Sequence, residues 1–181
     1  MKVRRFGIGI FGKSFGRADK WLAYADVYED SVEILLREIK SNFLYQHHAY
    51  QILPLLFLLE MYIELQLKGL IIYKGGKPKY NEHDLSYHLG LLESLDSSIR
   101  MCKQTKDFIR NLSELDIGSQ AFRYPTDKHL QRFFQNLSPS LSKLLYDIND
   151  FQKLETMVNL VIHDLENVEG DFEQEQDNQG Y

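Results

Sequence analysis

From Asp19 to about Lys40, the apolar residues Trp21, Leu22, Ala25, Val27, Tyr28, Val32, Leu35, Leu36 and Ile39 recur at steps of three and four. That spacing gathers side chains on one side of an α-helix, so it predicts an amphipathic first helix with Asp19 as its N-cap. A second helix is expected to begin near Pro54, a residue suited to the first helical turn, and to stop at the pair Gly75-Gly76. It is apolar on almost every side. Its polar exceptions, Glu60, Glu64 and Lys68, stand at i, i+4 and i+8, one stripe of the helix that must find partners.

A third helix should open between Asn81 and Asp84 and carry Leu85, Leu89, Leu92, Leu95, Ile99 and Cys102 on one face, with a bent or broken continuation through Phe108, Ile109 and Leu112. Between Asp116 and Asn136 the periodicity lapses, Pro125 marks a turn, and a short helix is expected around His129 to Phe134. The last helix should start at Ser138 as N-cap with Pro139 at the first helical position, and continue through Leu141, Leu144, Ile148, Phe151, Leu154, Val158, Val161, Leu165 and Val168. Together these periods predict an all-α protein, an antiparallel bundle of four long helices plus a short extra helix.

Composition narrows the class. The 181 residues are 44% hydrophobic and 26% charged, which fits one soluble domain with a tail and excludes wholesale disorder and collagen-like chains. The apolar run Ile52 to Ile72 contains Pro54, Glu60, Glu64 and Lys68, groups that are expensive in lipid, so it reads as a buried helix and no membrane is expected. The start MKVRRFGIGIFGKSF has too short and too Gly-interrupted an apolar stretch for a signal peptide. A lone Cys102 permits no internal disulfide and no Cys-based zinc site, and it points to a reducing, cytoplasmic setting.

Net charge is −5, but the ends oppose one another. Residues 1–20 hold Lys2, Arg4, Arg5, Lys13, Arg17 and Lys20 against Asp19, whereas residues 163–181 hold Asp164, Glu166, Glu169, Asp171, Glu173, Glu175 and Asp177 with no Lys or Arg. The expected organisation is a basic N-terminal arm over 1–18, a helical bundle over 19–169 and an acidic tail over 170–181.

Histidine spacing argues against a metal. His47 and His48 are adjacent and diverge on a helix, His83 and His88 miss the i+4 step, and His163 has no second ligand nearby. No metal and no cofactor are expected. Arg123 and His129 flank the turn Tyr124-Pro125-Thr126-Asp127-Lys128, where both side chains can converge on one phosphate. Metal-free RNA cleavage asks for such a pair: a His to take the proton of an attacking 2′-hydroxyl or give one to the leaving oxygen, and an Arg to hold charge on phosphorus. The alternative is structural, with Arg123 anchored on an acid such as Asp116. The turn with Lys74, Lys77 and Lys79 beside Tyr73 and Tyr80 offers phosphate contacts and a stacking ring, or simply a solvated basic surface. Lys68 should pair with Glu64 or, across the bundle, with Asp84, and His83-Asp84-Leu85 reads as a helix opening in which Asn81 or Glu82 starts the helix and Asp84 lies in its first turn.

In order and spacing, these features resemble the HEPN family, small helical-bundle domains named for nucleotide binding in higher eukaryotes and prokaryotes. The matching features are the apolar second helix with Glu60, Glu64 and Lys68, the Gly-containing turn, His83-Asp84-Leu85 opening a third helix, and Phe122-Arg123-Tyr124-Pro125 ahead of the last helix. The resemblance spans roughly Asp19 to Val168. It implies an all-helical bundle that often dimerises, with any leftover apolar face at the interface. It also implies, in many members, a metal-independent ribonuclease whose Arg and His, four to six residues apart, line a cleft between protomers. Arg123 and His129 enclose five residues and meet that spacing, with Arg123, Tyr124, Lys77 and Lys79 as phosphate or nucleotide contacts. Nuclease members usually place a small polar residue after the Arg, where this chain has Tyr124 and Pro125. The Arg-Tyr-Pro form also looks like members that bind a nucleotide or substrate beside a minimal nucleotidyltransferase. Three readings follow: an RNA-cleaving protein of a toxin-antitoxin or phage-defence pair, facing an antitoxin; a non-catalytic module that binds a nucleotide or a nucleotidyltransferase partner; and a helical scaffold whose charged ends dock other proteins.

Overall fold

A computed structural model describes residues 17–42, 49–115 and 148–179. Among these residues the protein is all-helical: α1 (Arg17–Asn42), α2 (Ala49–Tyr73), α3 (Leu85–Leu95), α4 (Lys103–Leu115) and α5 (Ile148–Gln179), with no strand. The first helix buries Leu22, Ala25, Val32, Leu36 and Ile39, but Val27 is exposed and does not join that face. Asp19 lies inside the first turn of α1 and does not cap it, because the helix already begins at Arg17. There its carboxylate still complements the positive end of the helix dipole. Pro54 is likewise interior, as α2 starts five residues earlier than the proline suggested. Its missing N–H costs α2 one hydrogen bond in its second turn, a loss that the burial of Ile52, Leu55, Leu56 and Leu59 around it offsets.

Helix α2 is the centre of the bundle, and its end is set by glycine. Gly75 adopts φ +76°, the left-handed region open to a residue without Cβ. The Gly75 N–H reaches the Ile72 carbonyl at 2.9 Å and the Gly76 N–H the Ile71 carbonyl at 2.8 Å, the paired bonds of a Schellman stop. At Gly69 a Cβ would approach Leu22 Cδ2 to 2.6 Å, so the glycine allows the close crossing of α1 and α2.

The third helix is broken, not bent. Asp96 Oδ1 accepts from the Ser98 N–H at 2.9 Å and the Ser98 hydroxyl at 2.6 Å, which turns the chain away from helix. Helix α4 restarts under a cap from another element: Asp164 of α5 accepts the Cys102 N–H at 2.9 Å and the Thr105 hydroxyl at 2.7 Å. Burial alone would raise the Asp164 carboxyl, but the bonds from Thr105 and Cys102 outweigh it and hold it below its ordinary value. The expected starts of the short helix at His129 and of the last helix at Ser138 lie outside the described residues. Helix α5 continues past 169, and Phe172 is buried against Tyr73, ring centroids 6.2 Å apart. No helix among the described residues is long and apolar enough to cross a membrane.

Contacts give the directions. Leu22 meets Gly69, so α1 and α2 are antiparallel; Lys40 pairs with Glu155 at 2.9 Å at the far end of α1, next to the early part of α5. The segment after Gly76 folds back along α2, and α3 then rises in the same sense as α2, starting near Glu64 and ending where Lys74 pairs with Asp96 at 2.8 Å. That return places the 77–84 segment over a buried ion pair.

Candidate functional site

The segment between α2 and α3 brings polar groups from three elements together. Lys68 is 1% exposed, and its ammonium donates to Glu64 Oε1 at 2.8 Å and to the Tyr80 carbonyl at 3.1 Å. The same ammonium lies 5.6 Å from the centroid of the Trp21 ring, and Trp21 stacks on Tyr80 at 5.7 Å and 20°. An apolar helix can carry this lysine because its charge is neutralised and hydrogen-bonded in place. On its outer side, the Glu64 carboxylate accepts from His83 Nδ1, 3.1 Å from each oxygen. Glu64 therefore joins a buried cation to a histidine whose side chain is one-third exposed.

Asp84 does not reach Lys68. It is the N-cap of α3, accepting the Ser86 N–H at 2.8 Å, the Tyr87 N–H at 3.2 Å and the Ser113 hydroxyl of α4 at 2.7 Å. The expected start at Asn81 or Glu82, with Asp84 inside the first turn, is corrected accordingly: Asp84 holds an extended backbone and its side chain does the capping. Partial burial would raise its carboxyl, but the bonds from Ser113, Tyr87 and Ser86 prevail and lower it.

Spacing in the sequence bears on His88 only as a metal ligand, but its position is the core. It is fully buried, its Nε2 donates to the Glu82 carbonyl at 3.0 Å, and its bare Nδ1 has no hydrogen-bond partner. Burial holds the ring below its ordinary value, Lys68 adds to the effect, and the Glu82 carbonyl with the Glu64 and Glu82 carboxylates offsets only part of it. The ring therefore stays neutral near pH 7. The sequence signal was present: His88 lies one turn after Asp84 and one residue before core Leu89, an inward position on α3.

At the surface, Lys77 and Lys79 are exposed on either side of buried Pro78, followed by Tyr80 at 43% exposure. Lys79 stands 4.7 Å from the centroid of the Tyr87 ring, an arrangement that holds its charge outward over an aromatic face. Lys74, expected to join this basic turn, is engaged elsewhere, with Asp96 and above the Phe172 ring at 3.9 Å. Glu60 is buried on α2 one turn before Glu64. Glu64, Lys68 and His83 thus form one cluster, Asp84 a cap beside it, and Lys77 and Lys79 its solvent side. Arg123, Tyr124 and His129 lie outside the described residues.

No group of three or more His, Cys, Asp or Glu among the described residues is placed to hold a metal ion. A family model described as the HEPN domain matches residues 21–137, from the first turns of α1 through α4 and across Arg123 and His129. No curated protein and no solved structure matches the chain.

Proposed function

Because the chain belongs to the HEPN domain family, we propose that it is an RNA-directed module in which Arg123 and His129 act on a phosphate that the Lys77-Lys79 turn helps to hold. The observation that carries this reading is the matched span itself, which contains both the basic turn and the Arg123–His129 pair within one domain. Two exposed lysines next to a half-exposed tyrosine supply backbone charge and a ring face, the chemistry that single-stranded RNA meets on such surfaces.

On this reading the reaction is a transesterification within RNA. His129 removes the 2′-hydroxyl proton as O2′ bonds to phosphorus, the P–O5′ bond breaks to leave a 2′,3′-cyclic phosphate and a 5′-hydroxyl, and the leaving O5′ takes its proton from water, to which the protonated His129 then returns the one it removed. Arg123 compensates the extra negative charge on the pentacoordinate phosphorus. A protein with this activity suits the toxin half of a toxin-antitoxin or phage-defence pair.

One observation favours a second reading. Tyr124 and Pro125 directly follow Arg123, where a nuclease of this kind would carry a small polar residue, and this favours a binding module that serves a nucleotidyltransferase partner. The test is incubation of mixed RNA with purified protein in EDTA, beside His129→Ala and Arg123→Ala, with circular dichroism on all three. Cyclic-phosphate products lost in both variants support cleavage. Intact RNA with folded wild-type protein overturns it in favour of the binding module.

A further inference from the structure

We propose that the cleft between the α3–α4 connection and residues 168–174 of α5 binds a small zwitterion, an α-amino acid with an apolar side chain. The cleft is a cavity of about 370 Å³, the size of a site for one small molecule. Arg100 stands on one wall, in the connection, and Asp171 on the other, in α5. Both are exposed, and neither pairs with the other or with any described residue. A guanidinium and a carboxylate thus share one cavity without meeting.

The wall that carries Arg100 is anchored on both sides. Before it, Asp96 Oδ1 accepts the Ser98 N–H at 2.9 Å while Oδ2 pairs with Lys74 at 2.8 Å. After it, the Met101 N–H donates to the Ile99 carbonyl at 3.1 Å and the Cys102 N–H to Asp164 of α5 at 2.9 Å. Beneath lies an apolar floor of buried Val168 and Phe172 with half-buried Ile99. A site held in shape this way spends little ordering entropy on its ligand.

The chemistry of the walls selects the ligand. Arg100 suits a carboxylate, whose two oxygens match the guanidinium fork, Asp171 accepts from an ammonium, and the floor takes an aliphatic or aromatic side chain out of water. Among the lining residues Asp96 is already neutralised by Lys74, which leaves Arg100 and Asp171 as one charge of each sign. A ligand with one charge of each sign answers both. A phosphate would answer Arg100 but set its own negative charge against Asp171. The cleft shares no residue with the Glu64, Lys68 and His83 cluster, and the inference is independent of the reading of Arg123 and His129.

Calorimetric titration of the full chain with L-leucine and L-phenylalanine tests it. Both should bind at one site per chain, and Arg100→Gln and, separately, Asp171→Asn should weaken binding at least about tenfold with unchanged helical circular dichroism. Glycine, which leaves the floor uncovered, should bind at least about tenfold more weakly than leucine. Leucinamide and N-acetyl-leucine, each lacking one of the two charges, should be weakened in the same way. Leucine should also raise the melting temperature of wild type by more than that of either variant. No binding of either amino acid, amide or acetyl derivatives that bind as well as leucine, binding that survives both substitutions, or displacement of leucine by an equal concentration of inorganic phosphate would each overturn the proposal.

Discussion

Lys68 is the residue on which the chemistry of the core turns. A long aliphatic side chain at this point in α2 would satisfy the apolar pattern, yet the position holds an ammonium 2.8 Å from Glu64 and 3.1 Å from the Tyr80 carbonyl. Removing the ammonium takes the opposite charge away from the buried Glu64 carboxylate, so Lys68→Met should lower stability by about 3 kcal/mol, read from urea denaturation. Replacing both charges, Lys68→Met with Glu64→Leu, should recover most of that loss. His88 adds a pH dependence with a definite sign. Its folded value is lowered from 6.5 by burial first of all, so below about pH 6.5 the unfolded chain binds more protons than the folded one and stability falls. The fall should continue until the pH passes the lowered folded value. Urea midpoints at pH 7.5 and pH 5.5 check it: wild type should lose more than His88→Gln over that interval, and equal losses would contradict a neutral buried ring. The lowered carboxyls of Asp84 and Asp164 stabilise the fold above their ordinary value of 3.8 and lose that contribution only below it, in a separate window.

At the level of elements, the helix caps are tied to other helices. Asp84 caps α3 while Ser113 of α4 donates to it, and Asp164 of α5 caps the start of α4. Asp84→Ala should cost about 1 to 2 kcal/mol, the loss of an N-cap with an added tertiary bond. Ser113→Ala should cost less, and a double-mutant cycle in urea should show the two effects to be non-additive; strict additivity would mean that the bond does no work. These contacts also explain what the sequence disclosed. The buried stripe of α1, the glycine stop of α2 and the inward leucines of α3 follow from periodicity and from residue types with local effects. Local chemistry puts the start of α3 too early, since Asn81, Glu82 and Asp84 are all acceptable near a helix start. Only Ser113, distant in sequence, favours Asp84. The break after Leu95 was legible only as an alternative, since Asp96 and Ser98 decide it by side-chain bonds that compete with the helix. Periodicity puts Val27 on the wrong face because three-and-four spacing admits two opposite seams on α1.

For the molecule as a whole, the return of the chain after Gly76 is the decisive feature. It lays Tyr80 and His83 over Lys68 and Glu64 and turns Lys77 and Lys79 outward. The polar stripe of α2 that the sequence singled out is thus spent on holding this segment, which accounts for charge in the most apolar helix. His83 was legible as part of a helix start, but its bond to Glu64 was not, because it depends on the length and path of the returning segment. Within the HEPN domain, the hydrogen-bonded Lys68, Glu64 and His83 cluster beneath them makes Lys77 and Lys79 the part of the proposed RNA surface to probe, with Arg123 contributed by the same matched span. The most direct measurement is the anisotropy of a fluorescent single-stranded RNA titrated with wild-type protein, the double variant Lys77→Glu/Lys79→Glu and Arg123→Ala, at low and high salt. Binding that weakens with salt and falls at least about tenfold in both variants is the expected result. An RNA that does not bind, or binds equally well to all three proteins, would contradict the account.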